Sequence, residues 1–258
     1  MKKIIFLAII TLSVSGVFAQ NWAVNYSNST ASLKPKGKWE TGFWQPLRIG
    51  ITDKLELNTH IWVAALNPEL GAKISWGEKE GWKLSSDHDL SMPSVLLNFI
   101  SREGMGGIIS PEYNFSTIVS MYNGAIASKP IWKNGVLTTR AGFAFALRGE
   151  KPDPQATIDM PIFYPRMAHY YEGVSLRAGA SVIKPVGSRL AVEEKLQLYY
   201  ITRGSNNFFT ENTGTIMWRM CKRTVLKGGY ILNYGTYPFG NHLQMWPVID
   251  LVFGSRFE

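Results

Sequence analysis

The sequence predicts an all-β protein, an antiparallel transmembrane β-barrel of about 12 strands, with 10 as the alternative count. Three observations carry this. Nearly every segment beyond the first 20 residues alternates apolar and polar side chains with period two, the spacing of a strand with two different faces, and almost none shows the 3.6-residue period of an amphipathic helix. Short connections alternate with longer ones along the chain, the asymmetry of a bacterial outer-membrane barrel. Aromatic residues, among them Trp39, Phe43, Trp44, Trp62, Trp76, Trp82, Trp132, Trp218 and Trp246, fall near predicted strand ends, where membrane barrels place interfacial girdles.

The elements follow in order. Lys2 and Lys3 precede an apolar run over residues 4–17 and a small-residue site at Ala19, which reads as a secretory signal peptide over 1–19; residues 20–258 then form the barrel. The alternating Trp22, Val24 and Tyr26 read as a first ascending strand. In the stretch RIGITDKLELNTHIW, Leu47, Ile49 and Ile51 alternate with Arg48 and Gly50, and Leu55, Leu57 and Thr59 alternate with Glu56, Asn58 and His60. A three-residue turn over 52–54 pairs Ile49 with Leu57 and Gly50 with Glu56, which keeps one face apolar; a two-residue turn would cross the faces. Further turns rich in Gly, Asn, Asp or Lys fall at 77–81, 133–135, 185–189 and 221–223. Longer connections fall at 67–68, 101–113, 149–171, 203–213 and 235–245. The region 83–118 is poorly periodic, and its PSVLLNFISREGMGGIISP is as compatible with a short helix or an inserted loop as with strand. The five short turns pair ten strands, the apolar strand over 246–257 adds another, and an even count requires the one at Trp22.

The run GKWETGFWQPLRIGITDKLEL over residues 37–57 resembles the PLRYGLTDRLEL segment of a family of uncharacterised outer-membrane β-barrel proteins of Bacteroidota and related bacteria, with Ile49 where that family tends to have Tyr. The segment SSDHDLSMPSVLLNFISREGMGGIISPEYNFSTI over 85–118 is similar to a second stretch of it. The terminal IDLVFGSRFE resembles an outer-membrane targeting strand, with Phe257 next to last and Glu258 last. The resemblance implies fold and an outer-membrane location, and brings no activity with it.

With apolar residues facing lipid, the other face lines the lumen. The alternation places there Arg48, Glu56, Asn58, His60, Arg140, Arg148, Arg177, Glu193, Lys195, Arg219, Lys227 and Asp250, with Arg256 at the end of the same series. Bases outnumber acids, and rings of Arg and Lys are how pores favour anions, so a pore or facilitator for small anionic solutes is expected. The competing expectation is structural filling, in which the same charges form cross-strand pairs inside a closed barrel. The whole chain carries 27 Lys and Arg against 19 Asp and Glu. An exported chain without a basic cluster is not expected to bind nucleic acid; its expected partners are outer-membrane lipids, lipopolysaccharide, the barrel assembly machinery and small anionic solutes. The single cysteine, Cys221, supports neither a disulfide framework nor a cysteine metal site, and His60, His88, His169 and His242 form no metal-spaced pair. No cofactor and no enzyme chemistry are expected. A lipid-modifying activity built on His88 with Asp87 or Asp89 and Ser85, Ser86 or Ser91, or on His169 with the loop acids, is the remaining alternative.

Overall fold

A strand whose amides face lipid must have both edges paired, because hydrocarbon offers no hydrogen-bond partner. The computed structural model, which describes residues 22–132, 134–158, 160–203, 207–237 and 240–256, meets this condition with a closed barrel. Its strands are β1 (Trp39–Thr41), β2 (Leu47–Thr52), β3 (Leu55–Thr59), β4 (Glu69–Lys79), β5 (Trp82–Ser91), β6 (Ile118–Ile131), β7 (Gly135–Arg148), β8 (Ser175–Val186), β9 (Leu190–Ile201), β10 (Phe208–Arg219), β11 (Thr224–Tyr237) and β12 (Gly240–Gly254). Each pairs antiparallel with its neighbours in sequence, and β1 closes on β12. The leader read over 1–19, Lys133 of one turn, Phe239, Phe257 and Glu258 lie outside the described residues.

The register of the opening hairpin is the one the three-residue turn requires. Ile49 pairs with Leu57 and Gly50 with Glu56, while a bulge beyond Gly50 brings Thr52 opposite Leu55. The closing seam is brief, with two residue pairs between β1 and β12. It is reinforced by Asp250, which accepts from the backbone amides of Phe43 and Trp44 at 2.7 and 3.2 Å, and by Trp44 Nε1 donating to the Ile249 carbonyl.

Burial runs opposite to that of a soluble barrel. Glu40, Arg48 and Glu56 are 0, 3 and 1% exposed, whereas Leu70, Leu243 and Ile249 on the outer wall are 57, 68 and 70% exposed. Apolar surface on that scale is stable only against an apolar solvent, which makes this a transmembrane barrel. Trp39, Trp76, Trp132 and Trp218 stand toward the short-turn end, and Phe43, Trp44 and Trp62 cluster at the long-loop end, where Phe43 packs edge-on to Trp44.

Three expectations are corrected. The first strand is β1 at Trp39–Thr41; Trp22–Tyr26 is a five-residue helix, α1. It lies inside the barrel, where Trp22, Ala23, Val24 and Tyr26 pack into a collar of Val136, Ile183, Ala191, Met217, Val225 and Val252. The connection expected over 235–245 is instead the extended β11–β12 hairpin, paired out to Tyr237 and Gly240. Likewise the loop expected to run to Thr213 ends earlier, since β10 begins at Phe208. The segment 85–118 divides into β5 and helix α2 (Ser94–Ile100), and 149–171 ends in helix α3 (Tyr164–Tyr171). These two insertions pack on each other through Leu97, Ile100, Phe115, Ala156, Met167 and Tyr171.

Candidate functional site: a filled, basic lumen

Eight-stranded barrels are filled by side chains alone, and sixteen-stranded ones leave a water channel; twelve strands leave a bore that side chains cannot fill unaided. Backbone does the filling here. Beyond α1 the chain runs through the lumen to the wall near Gly50, where Gly37 donates to the Gly50 carbonyl and Gly50 donates to that of Lys38. A backbone inside a barrel brings unpaired carbonyls and amides, and the inward charges of the wall satisfy them.

Arg48 is the centre of this arrangement. Its Nε and Nη2 donate to Glu56 Oε1 and Oε2 at 2.7 and 3.0 Å, a two-pronged pair between adjacent strands. Its Nη1 donates to Glu40 Oε1 at 2.9 Å, Asn28 Oδ1 at 2.7 Å and the Ser27 carbonyl at 3.1 Å. Glu56 also accepts from the Lys34 backbone amide at 2.7 Å, and Lys34 Nζ lies 2.7 Å from Glu40. Around the ring, Lys73 donates to the Thr30 carbonyl, Arg140 to that of Ser29 and Lys227 to that of Tyr26. Ser27 donates to Glu193 at 2.8 Å, and Ser128 accepts from the Ala31 amide. Arg219 donates to the Ser188 carbonyl and stacks over Trp22, 5.1 Å from the ring.

The other mouth is covered by α3. Arg148 donates to the carbonyls of Tyr170 and Tyr171, Arg166 Nη2 is shared between both Glu211 carboxylate oxygens, and Tyr164 packs edge-on against Phe209 and Tyr237. His169 Nε2 lies 2.7 Å from Ser120 Oγ. Burial beside Arg177 holds the His169 imidazole well below the usual histidine range, so it is neutral.

Other predicted lumen residues take no part in this network. Asn58 and Asp89 converge over Gly71, where a Cβ would sit 2.3 and 2.2 Å from their side chains. His60 lies one residue beyond β3, in the connection to β4, and its Nδ1 is 3.2 Å from Glu69. Asp250 is spent on the β1–β12 seam, and Arg256 is exposed beside it. Glu40, Lys73, Asp87, Arg166 and Glu211 were missed. For Lys73 the signal was available in the alternation of Leu70, Ala72, Ile74 and Trp76 against Gly71, Lys73 and Ser75. Three of the missed residues are acids and two are bases, so the excess of bases inside the barrel narrows only slightly and the interior stays net positive.

Between plug and cap the balance is positive. Among the described residues, Arg140, Arg177 and Lys195 have no carboxylate within ion-pair distance. Arg177 lies 5.0 Å over the Tyr122 ring and 5.6 Å over Tyr199, its Nη2 donates to the Arg166 carbonyl, and its Nε is buried without a protein acceptor among the described residues.

No family model matches the chain, and no curated protein matches it. A solved structure of the NanC porin, in a rhombohedral crystal form, is similar at 12% sequence identity and a TM-score of 0.38, over 86% of this chain and 98% of that one.

Proposed function

We propose that this chain is exported by its leader to the outer membrane, where it acts as a porin-like passage for small anionic solutes, and that the conformation described is its closed state. The observation that carries the reading is the trio Arg140, Arg177 and Lys195, held mid-barrel without carboxylate partners. Half-buried cations that no carboxylate pairs directly leave hydrogen-bond donors and charge open to the bore, and such a site is complementary to an anion. With cleavage after Ala19, the plug becomes the mature N-terminus, held by hydrogen bonds, the Lys34–Glu40 ion pair and packing, with no covalent tie other than its own continuation into β1. The plug also supports the opposite reading, a permanently closed barrel in which every lumen charge serves structure.

Ion currents across planar bilayers containing the refolded full chain separate the two. Passage predicts discrete currents whose reversal potential under a KCl gradient lies on the anion side, and predicts that Arg177→Gln with Lys195→Gln moves it toward the cation side. Folded, inserted protein that never conducts removes the passage reading. A cation-side reversal in the unaltered chain removes the anion preference.

A further inference from the structure

The outer wall carries a cluster that faces away from the lumen. On β5 the inward residues are Ser85, Asp87 and Asp89, which pair with the inward Ser75, Lys73 and Gly71 of β4. Ser86 and His88 therefore point outward, among Ala72, Ile74 and Leu90. This excludes Asp87 and Asp89 as partners of His88, along with Ser85 and Ser91. The partner comes from the next strand. Asn123 of β6 sits directly opposite His88 in the ladder, and its Oδ1 lies 2.8 Å from His88 Nδ1. On the other side of the same ring, His88 Nε2 lies 2.9 Å from Ser86 Oγ.

We propose that Ser86, His88 and Asn123 form a nucleophilic triad on the lipid-facing wall that cleaves acyl esters of membrane lipids. One tautomer satisfies both contacts: Nδ1–H donates to Asn123 Oδ1, which leaves Nε2 to accept the Ser86 proton. That is the division of roles in a Ser-His-Asp or Cys-His-Asn triad. Trp76 Nε1 donates to Ser86 Oγ at 3.0 Å, so the hydroxyl's other lone pair is engaged and its proton is directed to the ring. Ser86 is buried beneath the largely exposed Trp76, whose indole forms the lid over the nucleophile. Next to the triad the outward residues of β6, β7 and β8 are Ala125, Ala141 and Ala178, paired side by side. Their small side chains leave room on the wall beside the triad, alongside which an acyl chain can lie.

The step balances without a co-reactant other than water. Ser86 Oγ bonds to the ester carbonyl carbon as His88 takes its proton, the ester C–O bond breaks, and His88 returns the proton to the departing alkoxide of the lysolipid. Water, deprotonated by His88, then releases the fatty acid and restores Ser86. Ser86 and His88 are catalytic residues, and Asn123 is a positioning residue.

The test uses the refolded full chain in detergent–lipid micelles, treated with a long-chain alkyl fluorophosphonate and analysed by mass spectrometry. Fatty-acid release from phosphatidylethanolamine, phosphatidylglycerol and lipid A is measured in separate arms, which distinguish a phospholipid from a lipopolysaccharide source. The expected result is one adduct on Ser86, lost in Ser86→Ala, with release lowered on the order of 10⁴-fold in His88→Ala. Asn123→Ala should slow labelling and shift its pH profile, and Asn123→Asp should restore it. Each variant is verified as folded by its heat-modifiable gel mobility. Folded wild-type protein that takes no label and releases no fatty acid in any arm overturns the proposal, as does release that is unchanged in Ser86→Ala.

Discussion

Replacing Gly50 with alanine tests how the plug is held without altering any charge. Gly50 lies in β2 with its inward side against the segment that leads out of the lumen. A Cβ there would sit 2.3 Å from the carbonyl oxygens of both Lys34 and Pro35 and 2.7 Å from the Pro35 carbonyl carbon. Backbone on both sides of such a contact cannot yield as a flexible side chain does, so the N-terminal segment moves off the wall. Overpacking of this kind costs about 1–3 kcal/mol, and the cost falls on the plugged state alone, which multiplies the unplugged population by roughly 5–150-fold. Amide hydrogen exchange reads this directly. Lys34 and Ala31 donate their amides to Glu56 and Ser128, so both should exchange faster by that factor, while amides of the β10–β11 ladder keep their rates. Gly228→Ala is the control, since an added Cβ there meets nothing within 4 Å. Equal exchange at Ala31 and Lys34 in Gly50→Ala, Gly228→Ala and wild type, all folded, would refute the wedge and with it the view that the Gly50 contact anchors the plug.

Two further predictions rest on other contacts. Arg48→Ala leaves Glu56 buried without its ion-pair partner and Glu40 with Lys34 alone, and should destabilise the barrel by about 3–5 kcal/mol in reversible urea unfolding from detergent; Arg48→Lys, which keeps the charge and loses the two-pronged geometry, should fall between the two. The hydrogen bond to Glu69 raises the His60 pKa above its usual 6.5, outweighing partial burial. A raised folded-state value means that this contact stabilises fully below pH 6.5 and is lost as pH rises through the folded value. The stability difference between wild type and His60→Gln should therefore shrink from pH 5 to pH 9, and a difference that grows with pH would reverse the assignment.

The strands were legible because a barrel wall is a local object. Each residue of β8 faces lipid or lumen according to its parity, so Leu176, Ala178 and Ala180 against Ser175, Arg177 and Ser181 can be read without knowing any distant partner. The same reasoning failed at Trp22, Val24 and Tyr26. In a five-residue segment that buries Trp22, Ala23, Val24 and Tyr26 in a collar, nothing in the local period separates a short buried helix from a strand. It also failed at 235–245, where Gly235 and Gly240 read as loop while the β11–β12 ladder continues through them.

The sequence by itself determined the wall: its period-two strands, the short turns, the opening register and the face on which Arg48, Glu56, Arg140 and Arg177 lie. Those follow from chain connectivity and a period of two. What fills the bore was decided only in the tertiary structure, because the contacts of Arg48 with Ser27 and Asn28, of Arg140 with Ser29 and of Lys227 with Tyr26 join residues about 20 to 200 positions apart. The same is true of His88. Its neighbours in sequence are two aspartates that the pleat sends to the opposite face, and the groups it meets, Ser86 and Asn123, are set by strand parity and by the register of β5 on β6.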